Sequence, residues 1–238
     1  MPLPPVTAGC GLLACSPRPG GNSDTTAELF AQGYASAAGQ SPQPVMLREY
    51  TVLPCIGCDA CCRAIQPLPP ESLPESHAPP QHDDRRARLK LLFGQTRGDL
   101  PRLGCPLAAK DHSTPLLSFL TEAPSLCLVS PIYFYHLPAL LKALLDRTQP
   151  FWNLSDRGID VFRTRERTCH VILIGARPQG KQLFAGSLLT LKYALAGLRI
   201  KLAEPLLLYG LDKASALADD SRTGEQVFQY GRQAALNP

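Results

Sequence analysis

Apolar residues fall into short runs separated by polar, glycine- and proline-containing turns, and the runs alternate between strand-like and helix-like spacing. Ala8 to Cys15 is an apolar run of mostly small residues, followed by the Gly/Pro/Ser/Asn segment Ser16 to Ser23. From Asp24 to Ala38 the apolar positions recur at helical spacing, with Ser23 or Asp24 placed to cap and Glu28 near the first turn. The order is strand, loop, helix. Val45 to Leu53 reads as a second strand, and Ser125 to Ser130 as a short strand apolar enough to be buried on both faces. Pro138 to Thr148 reads as a helix with Leu140, Leu141, Leu144 and Leu145 on one side and Lys142, Asp146 and Arg147 on the other. Cys169 to Gly175 and Glu204 to Tyr209 give two more strands, and Gln182 to Ala196 and Gly224 to Ala235 two more helices. Such alternation implies a five-stranded parallel sheet with right-handed crossovers and helices on both faces.

The rhythm breaks between Arg63 and Gly104. Pro67, Pro69, Pro70, Pro74, Pro79 and Pro80 exclude a packed core element over their span, and six basic residues face one acidic residue between Arg85 and Arg102. Residues 63–104 are therefore expected to be a Pro-rich, basic surface insertion, with one short helix near Arg85 to Phe93. Its charge fits a solvated face better than a docking patch. With no internal repeat, residues 1–238 read as one domain carrying that insertion.

Composition changes this picture little, except through cysteine. The 238 residues are 45% apolar, enough to bury a large core, and the formal charge of +4 is mild. No basic face stands out, so a nucleic-acid partner is not expected. Four of the nine cysteines crowd into Cys55, Cys58, Cys61 and Cys62. That spacing suits metal or redox chemistry in a reducing cytoplasm better than a disulfide framework. Cys10, Cys15, Cys127 and Cys169 lie in or beside strands and read as small buried hydrophobes. Leu12-Leu13-Ala14-Cys15 has the form of a lipoprotein cleavage box, but no basic residue precedes Arg18. No stretch of about 18 apolar residues is free of proline and charge, so no membrane span is expected.

Open parallel sheets bind ligands at the carboxyl ends of their strands. There, Cys15-Ser-Pro-Arg-Pro-Gly-Gly-Asn-Ser23 joins the first strand to the first helix. Its backbone N–H groups meet the positive end of the helix dipole, and Ser16, Arg18, Asn22 and Ser23 add polar groups that suit a phosphate dianion. The loop matches neither G-x-G-x-x-G nor G-x-x-x-x-G-K-[ST], which favours a mononucleotide or flavin phosphate over NAD or ATP. The plainer account is an ordinary turn in which Gly21 and Asn22 serve backbone geometry. Cys55-x-x-Cys58-x-x-Cys61 offers three thiolates at the spacing of iron–sulfur ligation; zinc and unliganded thiols are the alternatives.

Three segments in register carry a family resemblance: Ser16 to Ser23, Pro54 to Cys61, and Ser130-Pro-Ile-Tyr-Phe134 followed by Leu140 to Arg147. Together they resemble the NADPH-dependent FMN reductase and iron–sulfur flavoprotein group, over roughly Leu12–Cys62 and Gly104–Tyr209. The resemblance implies a flavodoxin-like three-layer sandwich that binds FMN, with Ser16, Arg18, Gly21, Asn22 and Ser23 on the phosphate. It implies that Pro131, Ile132, Tyr133 and Phe134 line the isoalloxazine, with Gly175 and Ala176 near the ring. Cys105 would close a 4Fe–4S cluster with Cys55, Cys58 and Cys61, although Cys62 competes as a ligand. Arg177 could face reduced flavin or an NADPH phosphate, or be solvated, and His136 could donate a proton. The implied activity is an oxidoreductase or electron-transfer flavoprotein, linked to NAD(P)H or ferredoxin, with a small-molecule or protein redox partner. A cytoplasmic homodimer or homotetramer is expected. The rival expectation is a non-catalytic flavin- or zinc-binding regulatory module.

Overall fold

The computed structural model describes residues 3, 6, 9–64, 105–156 and 166–237. Residues 65–104, which carry nearly all of the expected insertion and its helix near Arg85 to Phe93, lie outside the described residues.

The sheet is built on β1 (Cys10–Ala14), β2 (Pro44–Met46), β3 (Ser125–Pro131) and β4 (Arg167–Ile174), with β5 (Ile200–Leu202) and β6 (Leu206–Leu208) along one edge. All pairings are parallel. The order is β2-β1-β3-β4-β5, and β6 also pairs with β4. The helices are α1 (Asn22–Ala38), α2 (Ala60–Ala64), α3 (Ser113–Glu122), α4 (Ala139–Asp146), α5 (Gln149–Asp156), α6 (Ala185–Ala196) and α7 (Ser221–Leu236).

Strand alternation sorts the core into two layers. Leu12 and Ala14 of β1, Cys127 and Val129 of β3 and Ile172 of β4 pack with Phe30 and Tyr34 of α1 and Val227 of α7. Their neighbours Leu13, Leu126, Leu128 and Leu173 pack on the other face with α3, α4, α5 and α6 through Leu116, Leu144, Phe151 and Leu191. Each central strand is buried on both sides, so period-two polarity is absent from its sequence. The result is the expected three-layer α/β sandwich.

Three details depart from the sequence reading. The second strand is short, because Leu47–Glu49 forms a 3₁₀ turn that buries Leu47, and the Tyr50 N–H closes it onto the Leu47 carbonyl. The last strand begins earlier and is split into β5 and β6, with Pro205 between them supplying no N–H for a continuous ladder. Helices α2, α3 and α5 are additional to the expected set; Leu116, Leu117 and Leu120 of α3 have the right spacing but stand next to the insertion. Among the described residues, no helix is long and apolar enough to cross a membrane.

Candidate active site

The register fixes which loops meet. Ala14 pairs with Val129, and Pro131 with Ile174, so the loops leaving β1, β3 and β4 emerge at one sheet edge. The Cys15 N–H donates to the Val129 carbonyl at 2.8 Å, and the Ile132 N–H to the Ile174 carbonyl at 2.9 Å.

In the β1–α1 loop, Ser16 turns inward and closes its own turn. Its Oγ accepts from the Arg18 N–H at 3.2 Å and donates to the Arg18 carbonyl at 3.1 Å. Gly20 takes a left-handed φ of 66°, and Gly21 follows in extended conformation before α1 begins. Among the described residues, nothing lies within 4 Å of where a Cβ would stand on Gly20 or Gly21. The amides of Gly21, Asn22 and Ser23 make no hydrogen bond among the described residues, as the first N–H groups of a helix lack a carbonyl four residues back. Arg18 is exposed and Ser23 buried. The loop thus offers free amides at the positive end of a 17-residue helix, beside open space and a cation. That donor chemistry fits a phosphate.

Asn22 corrects the sequence reading. Its side-chain amide donates to the carbonyls of Leu211 and Lys213 at 3.1 and 2.8 Å, and its Oδ1 accepts from the Leu217 N–H. The side chain ties down the loop after β6, leaving only the Asn22 backbone for a ligand. The sequence reading also missed a pair beside it. The Gly20 N–H donates to Asp24 Oδ2 at 2.7 Å, and Arg48 grips the same carboxylate with both nitrogens, at 2.8 and 2.9 Å. From the sequence, Asp24 reads only as a helix-cap candidate.

After β3, Tyr133 and His136 exchange backbone hydrogen bonds at 2.8 and 3.0 Å. The two residues between them, Phe134 and Tyr135, take positive φ values of 50° and 66°, so this is a tight turn of the kind normally built from Asn and Gly. Phe134 is fully exposed, and Tyr133 and Tyr135 are partly so. Pro131 and Ile132 are half-buried beneath them. His136 Nε2 lies 3.1 Å from Thr190 Oγ1, which anchors the turn to α6.

The loop after β4 meets this turn. Arg177 lies over the Tyr135 ring, 5.8 Å from its centre, with a guanidinium nitrogen 3.4 Å from the Tyr135 hydroxyl. Ala176 is exposed at the same rim. Gly175 is not. Its N–H donates to the Leu208 carbonyl and its carbonyl accepts from Leu211, while a Cβ would meet Leu183 at 3.0 Å. Gly175 is a packing glycine that extends the sheet, which leaves its backbone no group for a ring.

The expected metal ligands are not gathered. Among the described residues, which include Cys55, Cys58, Cys61 and Cys105, no group of three or more His, Cys, Asp or Glu side chains is placed to hold a metal ion. Left-handed turns at Gly57 and Asp59 leave Cys55 and Cys58 exposed, while Cys61 is carried into α2. Burial raises the Cys61 thiol pKa, and Cys105 and Cys55 add to the rise. The residues do not fit a 4Fe–4S cluster. Burial also raises Cys10, to about 12, and Cys15, Cys127 and Cys169 rise for the same first cause, in keeping with core hydrophobes.

No protein-family model matches the chain, and no curated protein sequence matches it. Solved structures do. A flavone reductase is 12% identical with a TM-score of 0.55; the match covers 95% of this chain, which spans only 61% of that one. An FMN-dependent NADH-azoreductase from Bacillus anthracis str. Ames Ancestor, solved with FMN, is 12% identical over 95% of this chain and 97% of its own, with a TM-score of 0.54. An NAD(P)H:quinone oxidoreductase from Methanothermobacter marburgensis is 16% identical over 96% and 94%, with a TM-score of 0.52. Identities this low speak for the fold: the chain has the flavodoxin-like α/β architecture.

Proposed function

We propose that this chain is an FMN-binding oxidoreductase, reduced by NAD(P)H and passing electrons to a small-molecule acceptor such as a quinone or a free flavin, or to a protein redox partner. The observation that carries the reading is the β1–α1 loop, whose free amides and open space fit a phosphate at the helix N-terminus. The structural neighbours, an FMN-dependent NADH-azoreductase and an NAD(P)H:quinone oxidoreductase among them, support the same chemistry.

Bound FMN supplies the hydride and electron chemistry; the protein supplies binding, orientation and electrostatics. Gly21, Asn22 and Ser23 hold the phosphate through their backbone N–H groups, and Arg18 adds charge from the rim. Pro131, Ile132 and the Tyr133–His136 turn form the wall for the ring, with aromatic surface on the solvent side. Arg177, held against Tyr135, puts a positive charge at the rim, which favours an electron-rich ring or an anionic reductant. His136, braced by Thr190, ends that turn and is placed to donate a proton to a bound ligand. The working form is a homodimer or homotetramer.

The test is the visible spectrum of the purified full chain. The expected result is a yellow protein, or a colourless one that turns yellow with added FMN, whose flavin absorbance bleaches when NADPH or NADH is added without oxygen. A protein that takes up no FMN, or whose bound FMN neither nucleotide reduces, contradicts the reading.

A further inference from the structure

The β1–α1 loop carries an acid where an anion is to bind. Asp24 stands in the first turn of α1, is 11% exposed, and already accepts from the Gly20 N–H at 2.7 Å. A carboxylate in a first helical turn stabilises an empty helix end through the dipole, but it repels a second anion at the same end. Arg48 answers that charge. It lies in the 3₁₀ turn after β2, two residues past Met46, and the Met46 pairing with Ala14 sets it beside the loop that Ala14 leads into. Its two nitrogens reach both Asp24 oxygens at 2.8 and 2.9 Å, a planar fork that a lysine could not reproduce.

We propose that Arg48 is a positioning and charge-compensating residue of the phosphate site: by pairing with Asp24 it lets a carboxylate shape the Gly20 turn without opposing the ligand's phosphate. Because it acts through Asp24, it determines specificity for the phosphorylated flavin over riboflavin. The inference rests on the FMN reading above. A pair that served only to fasten α1 to the sheet edge would affect both flavins alike.

The test is fluorescence titration of the full chain, freed of bound flavin, with FMN and separately with riboflavin. Arg48→Gln leaves the Asp24 charge unpaired, so FMN affinity falls about tenfold while riboflavin affinity stays within about twofold. Adding Asp24→Asn to Arg48→Gln removes the stranded charge, keeps an oxygen for the Gly20 N–H, and restores most of the FMN preference. Equal losses for both flavins, no loss for either, or a double variant no better than the single one overturns the proposal. Should Arg48→Gln not fold, Asp24→Asn alone decides. Its FMN affinity holds or rises if the proposal is right, and a fall overturns it. A wild-type chain that binds riboflavin as tightly as FMN removes the phosphate reading itself, and this inference with it, before any substitution is made.

Discussion

At the scale of single residues, backbone strain marks the ring-facing turn. Phe134 and Tyr135 occupy a conformation that suits Asn or Gly, at a cost of order 1–3 kcal/mol each, and Phe134 buries nothing in return. Such strain persists when the side chain is wanted in that place. Phe134→Gly relieves it, less the entropy cost of a new glycine. The expected thermal midpoint is therefore unchanged or higher by an amount worth up to about 1 kcal/mol, while FMN or acceptor binding weakens. A melting curve beside a flavin titration checks this; a destabilised Phe134→Gly with normal binding would contradict it. At this scale the sequence was partly legible. Ser16, Gly21 and Ser23 sit where the strand–loop–helix pattern put them, because a loop at a sheet edge is local in sequence. Asn22 and Gly175 were misjudged, since their partners Leu211, Lys213 and Leu208 lie far along the chain. The Asp24–Arg48 pair joins two elements that only the fold brings together.

At the scale of elements, α1 and α7 bring their backbones close together. A Cβ on Gly33 would come 1.9 Å from the Phe228 carbonyl oxygen, and one on Gly231 would come 2.3 Å from that of Phe30. Glycine inside a helix lowers helix propensity, so its presence at both facing positions reflects close approach of the two backbones. Gly231→Ala should cost about 2 kcal/mol or more despite the propensity gain, because backbone must move. Gly224→Ala in the same helix meets, among the described residues, only Leu29 at 3.6 Å and should gain up to about 1 kcal/mol. Urea unfolding of the two variants measures the contrast, and equal effects would contradict the packing argument. Buried arginines fasten other elements. Arg167 donates to the carbonyls of Leu120, Thr121 and Ala123 at the end of α3, and Arg147 joins Asp111, Ser113 and the Leu53 carbonyl. Burial opposes ionisation of Asp111, but hydrogen bonds from Ser113 and Leu53 and the Arg147 charge outweigh it and lower its pKa. Helical spacing made α1, α4, α6 and α7 readable. The 3₁₀ turn at Leu47–Glu49 and the break at Pro205 were not, because tertiary burial of Leu47 and a missing ladder donor decided them.

For the whole molecule, the alternation of strands and helices was enough to give a doubly wound parallel sheet, and that sheet order then places the candidate site at one edge. The cysteine spacing was a weaker guide: C-x-x-C-x-x-C says how far apart sulfurs lie along the chain, not whether turns at Gly57 and Asp59 will point them together. The sheet also carries a pH-sensitive residue far from the site. His170 is buried beside Tyr230, its Nε2 has no hydrogen-bond partner among the described residues, and burial lowers its pKa from 6.5 to about 4. Between those values the unfolded chain binds the proton and the folded chain does not. Stability therefore rises with pH from about 4 to 6.5 and is lost as pH falls, by roughly 3 kcal/mol in all. Denaturant midpoints across this range should show that slope in the wild type and a flatter one in His170→Phe; identical slopes would contradict the assignment.

The position of a bound flavin's phosphate decides between this function and any other. A crystal structure of the full chain with FMN answers this most directly. The expected density has the phosphate oxygens within hydrogen-bonding distance of the Gly21, Asn22 and Ser23 amides and the ring against the turn at Tyr133–His136. FMN seated elsewhere, or a phosphate group pointing away from that helix end into solvent, would contradict it.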